Sequence, residues 1–146
     1  MITILTDSRE SRPLDFSKYD VKVVRQKLDV GDYGCMVGKD VVPVVFERKT
    51  VTDAFSTLSS GYKRFRKELL RASESDTKLI LIVEGTLSKV LKGTRYSKIK
   101  GISMLRKICT LWQKYGLTPV FVKDRAEMTL FIVEYFQARL KFSNRH

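Results

Sequence analysis

Val41-Val42-Pro43-Val44-Val45-Phe46-Glu47-Arg48-Lys49 is the stretch on which the reading of this chain turns. Its β-branched and aromatic residues predict a strand, and Pro43 predicts an edge position or a bulge early in it. Side chains alternate along a strand, so Glu47 and Lys49 share one face and Arg48 points to the other. From Thr50 the period lengthens: Val51, Ala54, Phe55 and Leu58 mark a short helix, Gly61 punctuates it, and Phe65, Leu69 and Ala72 mark a second, basic helix. Residues 78–83 are continuously apolar, as in a parallel strand buried on both faces.

Working outward, residues 2–6 predict a strand that delivers Asp7, and residues 8–17, with Pro13, predict a loop. Residues 21–28 alternate imperfectly, as an outer strand does. Gly31-Asp32 breaks that run and starts a strand through residues 33–37, followed by a hairpin turn at Gly38-Lys39-Asp40. Beyond Gly85 a basic stretch containing Gly and Ser reads as a flexible loop up to Gly101. Ile102, Leu105, Ile108, Cys109 and Trp112 form a helical stripe that Gly116 ends. Residues 117–122 give another strand, and Asp124 with Glu127 caps a last helix carrying Met128, Phe131, Ile132, Tyr135 and Phe136. The expected class is α/β, a mixed central sheet flanked by helices, in one domain.

The 146 residues suffice for one well-filled core. Lys and Arg number 28 against 16 acids, a formal charge of +12 whose field attracts a polyanion. The distribution is uneven. No acid occurs between Glu84 and Asp124, while nine basic residues do; most carboxylates lie in the first half. Cys35 and Cys109 stand far apart among apolar neighbours, the pattern of reduced thiols in an intracellular protein, cytoplasmic or nuclear. No stretch reaches the roughly 20 apolar residues of a membrane span, so no membrane partner is expected. The one histidine, His146, is terminal, which argues against a histidine triad or a structural zinc site.

Asp32 heads the strand before the one carrying Glu47 and Lys49, and antiparallel pairing brings the two carboxylates together. Neighbouring carboxylates repel unless a cation lies between them. Oxygen-only ligands suit Mg²⁺, with Mn²⁺ able to substitute. Such an ion polarises a phosphodiester and activates water, while Lys49 stabilises the developing charge. Asp7, Arg9 and Glu10 follow the first strand, where α/β sheets hold sites, although a capped turn explains them equally well. Asp53 lies one short turn beyond Lys49 and is a further candidate metal contact; an exposed residue in a first helical turn is its plainer reading.

Lys63, Arg64, Arg66, Lys67 and Arg71 make the second helix strongly positive, which calls for a counter-anion. Lys89, Lys92, Arg95, Lys98 and Lys100 form a second basic segment. Both read as contacts to a DNA backbone.

Taken together, these residues resemble the XPF-type structure-specific nuclease domain, a branch of the restriction-endonuclease-like superfamily. Its signature of Gly-Asp, a gap, Glu-Arg-Lys, three residues and Asp is met by Gly31-Asp32, fourteen residues, Glu47-Arg48-Lys49 and Asp53. Its opening Asp-x-Arg-Glu is met by Asp7-Ser8-Arg9-Glu10, and Ile82-Val83-Glu84-Gly85 also fits. The resemblance implies a restriction-endonuclease-like fold and Mg²⁺-dependent cleavage of flap or fork DNA near duplex/single-strand junctions, as in DNA repair or recombination. It implies Asp7, Asp32, Glu47, Lys49 and Asp53 as active-site residues, with Asp7, Asp32, Glu47 and Asp53 as candidate metal ligands and Arg9, Glu10 and Arg48 as supports. It further implies a homodimer or heterodimer through the later helices, for which Trp112, Phe131, Tyr135 and Phe136 are candidates.

Two departures stand out. Ser60-Gly61-Tyr62 occurs where the family often carries an acidic-Gly-Arg motif. No helix-hairpin-helix module follows, so the expectation is a nuclease domain over residues 1–146. The rival is a catalytically inactive DNA-junction-binding or heterodimer-partner module of the same fold; a basic RNA-binding structural protein is weaker still. The carboxylates favour the enzyme, since a pure phosphate binder gains nothing from negative charge beside its ligand.

Overall fold

The computed structural model describes residues 1–143; His146 lies outside them. The elements follow as β1 (Ile2–Asp7), β2 (Lys22–Gln26), β3 (Tyr33–Val37), β4 (Asp40–Val41), β5 (Val44–Thr50), α1 (Val51–Thr57), α2 (Tyr62–Glu74), β6 (Lys78–Glu84), α3 (Leu87–Lys92), α4 (Gly101–Tyr115), β7 (Thr118–Val122) and α5 (Arg125–Ser143). The strands form one mixed sheet in the order β2-β1-β3-β5-β6-β7, with the short β4 paired to β3. β1 runs antiparallel to β3 and β3 antiparallel to β5, whereas β5, β6 and β7 are parallel.

The register explains where chemistry can gather. The carboxyl ends of β1, β2, β5, β6 and β7 and the amino end of β3 all lie at one end of the sheet. Asp7 therefore ends β1 beside Asp32, which immediately precedes β3, and Asp32 stands beside the end of β5. Backbone hydrogen bonds tie this row: the Asp7 amide donates to the Asp32 carbonyl at 2.8 Å, and the Asp32 amide donates to the Phe46 carbonyl at 2.8 Å.

Each face of the sheet is covered. Ile2, Ile4, Tyr33, Cys35, Val44, Phe46, Ile80 and Ile82 pack against Met128, Ile132, Val133 and Phe136 of α5. On the other face Leu79, Leu81 and Val83 pack against Val51 and Phe55 of α1, Phe65 and Leu69 of α2, and Met104, Ile108 and Leu111 of α4. Phe46 is fully buried, with Tyr135 and Phe136 edge-on at ring distances of 5.4 and 5.5 Å. β5 thus carries Val45, Glu47 and Lys49 toward α1 and α2, and Phe46 and Arg48 toward the α5 side.

Three local expectations need correction. Pro43 splits the 41–49 run into β4 and β5, and β5 sits in the centre of the sheet rather than at an edge. The missing amide falls in the break, where no ladder needs it. The 85–101 stretch contains α3, whose start Thr86 caps by accepting from the Lys89 amide at 3.2 Å. Six residues are too few to display a helical period. In α4 the buried stripe is Gly101, Met104, Ile108 and Leu111, leaving Ile102 and Trp112 exposed. Asp124 caps α5 as predicted, its Oδ1 accepting from the Glu127 amide at 2.9 Å, while Glu127 accepts from the Lys123 amide at 2.8 Å, one residue before the cap rather than from the cap itself. Both cysteines are free, Cys35 buried and Cys109 half-buried.

Gly31 is the local requirement for placing Asp32. Its φ of +75° is a left-handed conformation, and a Cβ there would stand 2.9 Å from Val45 Cγ2. Gly31→Ala is expected to lower unfolding stability by on the order of 2 kcal/mol, from backbone strain plus the clash. Urea or thermal unfolding measures it; unchanged stability would contradict the placement.

Candidate active site

Glu47, midway along β5, is only 6% exposed. Its Oε2 lies 3.0 Å from Lys49 Nζ, the pair that strand alternation predicts. Asp32 meets them across the β3–β5 pair, its Oδ2 accepting from the Arg48 amide at 2.8 Å. The two carboxylates face a cleft of about 260 Å³ roofed by α2, which contributes Arg64, Lys67, Glu68 and Arg71.

Charge and burial oppose each other here. Burial first, then the Glu10 and Glu68 charges, raises the Asp32 carboxyl to about 6, against the lowering hydrogen bond from Arg48. Burial, reinforced by Asp32 and Glu68, holds the Glu47 carboxyl well above the usual carboxylate range despite Lys49. Burial alone would lower Lys49, but Glu47, with Asp32 and Glu68 behind it, more than offsets this and raises it. A half-buried and a buried carboxylate that resist ionising together are what a cation would relieve.

The donor set fits a hard divalent ion. Among the described residues no three Asp, Glu, His or Cys side chains form a ready-made cage. Mg²⁺ does not demand one, since it is commonly held by one or two carboxylates and keeps its other positions for water and phosphate oxygens. Asp32 and Glu47 are the residues able to hold it.

The remaining candidates divide. Asp7 lines the same cleft, but its carboxylate is engaged: Arg9 Nε and Nη2 donate to it at 3.0 and 3.3 Å and the Leu28 amide at 2.9 Å. Arg9 also donates to the Leu28 carbonyl at 2.7 Å, so this pair fixes the 27–30 segment beside the cleft. Asp53 is exposed in the first turn of α1, where Thr50 accepts from its amide, and it does not line the cleft. Arg48 and Glu10 lie on the opposite face. There Arg48 pairs with Glu84 at 3.3 Å and Glu10 at 3.9 Å, and Tyr33 Oη donates to Glu10 at 3.1 Å.

Of the basic residues of α2, Arg64, Lys67 and Arg71 line the cleft. Arg66 donates instead to Tyr115 Oη on α4 at 3.2 Å, and Lys63 is exposed away from the cleft lining. Lys89 and Lys92 are exposed on α3, Arg95 stacks on Tyr96 at 4.9 Å, and Lys98 and Lys100 are exposed. This segment leaves the sheet at the end of β6, the end that carries the carboxylates.

Glu68 was not legible as a site residue. Its Oε1 accepts from the Gly31 amide at 2.9 Å, docking α2 onto the loop that positions Asp32. The available signal was its being the one acid within residues 62–73 of a basic helix.

The sequence matches the ERCC4 domain over residues 6–135, a span that includes every residue of this cleft. The chain belongs to the ERCC4 domain family. It is similar in structure to XPF from Aeropyrum pernix in complex with DNA, with a TM-score of 0.77 and 24% identity, covering 97% of this chain and 66% of that one. A second structure, XPF from Aeropyrum pernix, gives a TM-score of 0.73 and 25% identity, covering 95% of this chain and 61% of that one. The chain thus spans just under two thirds of the length of those chains. No curated protein matches it. The seven-stranded mixed sheet flanked by helices is the XPF nuclease fold, restriction-endonuclease-like as the motifs imply.

The raised Asp32 carboxyl has a signed consequence for stability. The folded protein holds that proton more tightly than the unfolded chain, whose value is about 3.9. Stability from the neutral form is therefore complete below about pH 4 and is lost as pH rises through about 6. In chelator, Asp32→Asn is expected to gain on wild type across that interval and to level off near 2 kcal/mol at neutral pH, an order-of-magnitude figure. Unfolding midpoints of both proteins against pH measure it, and a pH-independent difference would contradict the burial argument.

Proposed function

We propose that this chain is a divalent-metal-dependent DNA endonuclease that hydrolyses phosphodiester bonds in flap, fork or other branched DNA near duplex/single-strand junctions. The observation that carries this reading is the pair of half-buried Asp32 and buried Glu47, with Lys49 3.0 Å from Glu47, facing the cationic side of α2. The similar XPF structure from Aeropyrum pernix is a complex with DNA, which supports DNA as the polyanion. An inactive junction-binding module has no use for two carboxylates held where a phosphate must approach.

Mg²⁺ or Mn²⁺ bound by Asp32 and Glu47 would polarise the phosphate and lower the pKa of a bound water. Arg64, Lys67 and Arg71 hold strand phosphates over the carboxylates by charge-assisted hydrogen bonds. Lys49, kept protonated by Glu47, donates toward the charge that develops on the phosphate oxygens. Asp7 and Arg9 hold the 27–30 loop in position, and Arg48 joins the ends of β5 and β6 from behind.

The reading includes a dimer, homotypic or with a related chain, through α5, where Leu130 and Phe131 are exposed. Phe136 is buried in the core and Tyr135 half-buried. Trp112 lies on α4, across the sheet from α5, and so belongs to a different surface. No helix among the described residues is long and apolar enough to cross a membrane.

Purified protein is expected to cut flap or fork DNA only with Mg²⁺ or Mn²⁺. Glu47→Gln and Lys49→Ala should each lower cleavage by about 10²-fold or more while leaving DNA binding intact. Gel assays across flap, fork, nicked, single-stranded and four-way substrates test this. Cleavage by both variants at the wild-type rate would sink the site assignment. Affinity should also fall steeply with salt as phosphate contacts release counterions.

A further inference from the structure

Helix α2 carries a second basic surface that the cleft does not use. Tyr62 and Arg66 lie one turn apart on the flank that meets α4, while Arg64, Lys67 and Arg71 line the cleft on the other flank. Between the two flanks Phe65, Leu69 and Ala72 seal the helix to the sheet. From α4 come Lys107, Lys114 and Tyr115. Arg66 Nε donates to Tyr115 Oη at 3.2 Å, and Lys107 Nζ stands 4.3 Å from the centre of the Tyr62 ring. Lys114 Nζ stands 5.6 Å from the centre of the Tyr115 ring. Three cations and two phenols thus interlock across the α2–α4 seam.

What holds these cations matters more than their number. A carboxylate would fix them and cancel their charge, whereas a ring face or a phenol oxygen fixes them and leaves the charge intact. Among the described residues no acid pairs with Arg66, Lys107 or Lys114. Residues 85–123, which include all of α4, contain no Asp or Glu. Of the acids of α2, Glu68 is turned to the Gly31 amide on the cleft side, and Glu74 lies at the far end of the helix. The hydrogen bond from Arg66 holds the Tyr115 phenol below its usual value, and Lys114 adds to this, as a locally positive field requires. Like charges gathered at this range repel, and an external polyanion relieves the repulsion.

The form of that polyanion follows from the rings. A single-strand site offers free aromatic faces on which bases stack. Here an ammonium group stands over each ring, Lys107 over Tyr62 and Lys114 over Tyr115, so the surface presents charge and N–H donors in place of stacking platforms. That suits a sugar–phosphate backbone, and a duplex carries the denser one, about one charge per 1.7 Å of axis against 3.4 Å for each strand. We propose that Arg66, Lys107 and Lys114 form an exosite that grips the phosphate backbone of a duplex arm, across α2 from the carboxylate cleft. A helix with its side chains is about 10 Å across, so both flanks of α2 reach one DNA molecule. The inference rests on the endonuclease reading and adds to it where the paired arm of the substrate is held.

Fluorescence anisotropy in chelator, with a labelled blunt duplex and a single strand of equal length as probes, tests the exosite without cleavage. The Lys107→Gln, Lys114→Gln double variant is expected to weaken duplex binding several-fold and to flatten its log–log salt slope by about 1.8, two phosphate contacts at about 0.9 each. Lys114→Gln alone, at an exposed position, should flatten the slope by about 0.9. Tyr115→Leu removes no charge and should still weaken duplex binding, because Arg66 and Lys114 lose the group that aims them. The Lys22→Gln, Lys39→Gln pair, on β2 and in the β3–β4 turn, removes the same net charge and should leave duplex affinity nearly unchanged. The proposal is overturned if the cluster variants lower duplex affinity no more than this control pair, or if single-strand affinity falls as much. It is also overturned if poly-L-glutamate displaces the duplex from wild type as well as unlabelled duplex does. Wild type that cuts DNA with no exosite effect removes the exosite alone. An exosite effect in a protein that never cuts removes the nuclease reading alone.

Discussion

The Arg48 amide donates to the Asp32 carboxylate at 2.8 Å, and the site is assembled around that contact. It exists because β3 pairs antiparallel to β5, so the residue that opens one strand meets the residues that close the other. Gly31 permits the turn, with its φ of +75° and its close approach to Val45. Glu68 then ties the helix above to the same turn. Moving any one of these shifts Asp32 relative to Glu47, and the distance between those carboxylates governs whether one cation serves both.

The two faces of the sheet have separate tasks. On one, Glu47, Lys49, Asp32 and Asp7 meet α2 at the end of the strands. On the other, Arg48, Glu10, Glu84 and Tyr33 form a polar network beside the core beneath α5. Alternation in Glu47-Arg48-Lys49 thus sends two residues to the α2 side and one to the network that braces the strand ends. The hydrophobic clusters on both sides supply the rigidity that the carboxylate pair requires, because their mutual repulsion favours separation. Stability given up at such a site is a common cost of function.

Much of this was legible in the residues. The strand 44–50 with its charged end, the Gly31-Asp32 break, the Asp124 cap and the buried run 78–83 all carry local signals. Period two on β5 was enough to put Glu47 beside Lys49 and Arg48 behind. The failures share a physical cause. Pro43 signals an interruption but does not say whether the following strand is central, which pairing with β6 decides. The α3 helix is too short to show a period. In α4 two apolar stripes compete, and only packing against Leu79 and Leu81 selects Met104, Ile108 and Leu111 over Ile102 and Trp112. Glu68 acquires its place from the packing of α2 over the strand ends, a contact between segments distant in sequence. Motif spacing also names Asp53, which stands exposed in the first turn of α1 outside the cleft lining.

The central claim is that Asp32 and Glu47 are together a divalent-cation site, and calorimetric titration of the substrate-free protein with Mn²⁺ tests it most directly. Saturable binding to wild type and its loss in the Asp32→Asn, Glu47→Gln double variant, with circular dichroism confirming that variant's fold, is the expected result. Equal binding to both proteins, or no binding to wild type, would contradict it.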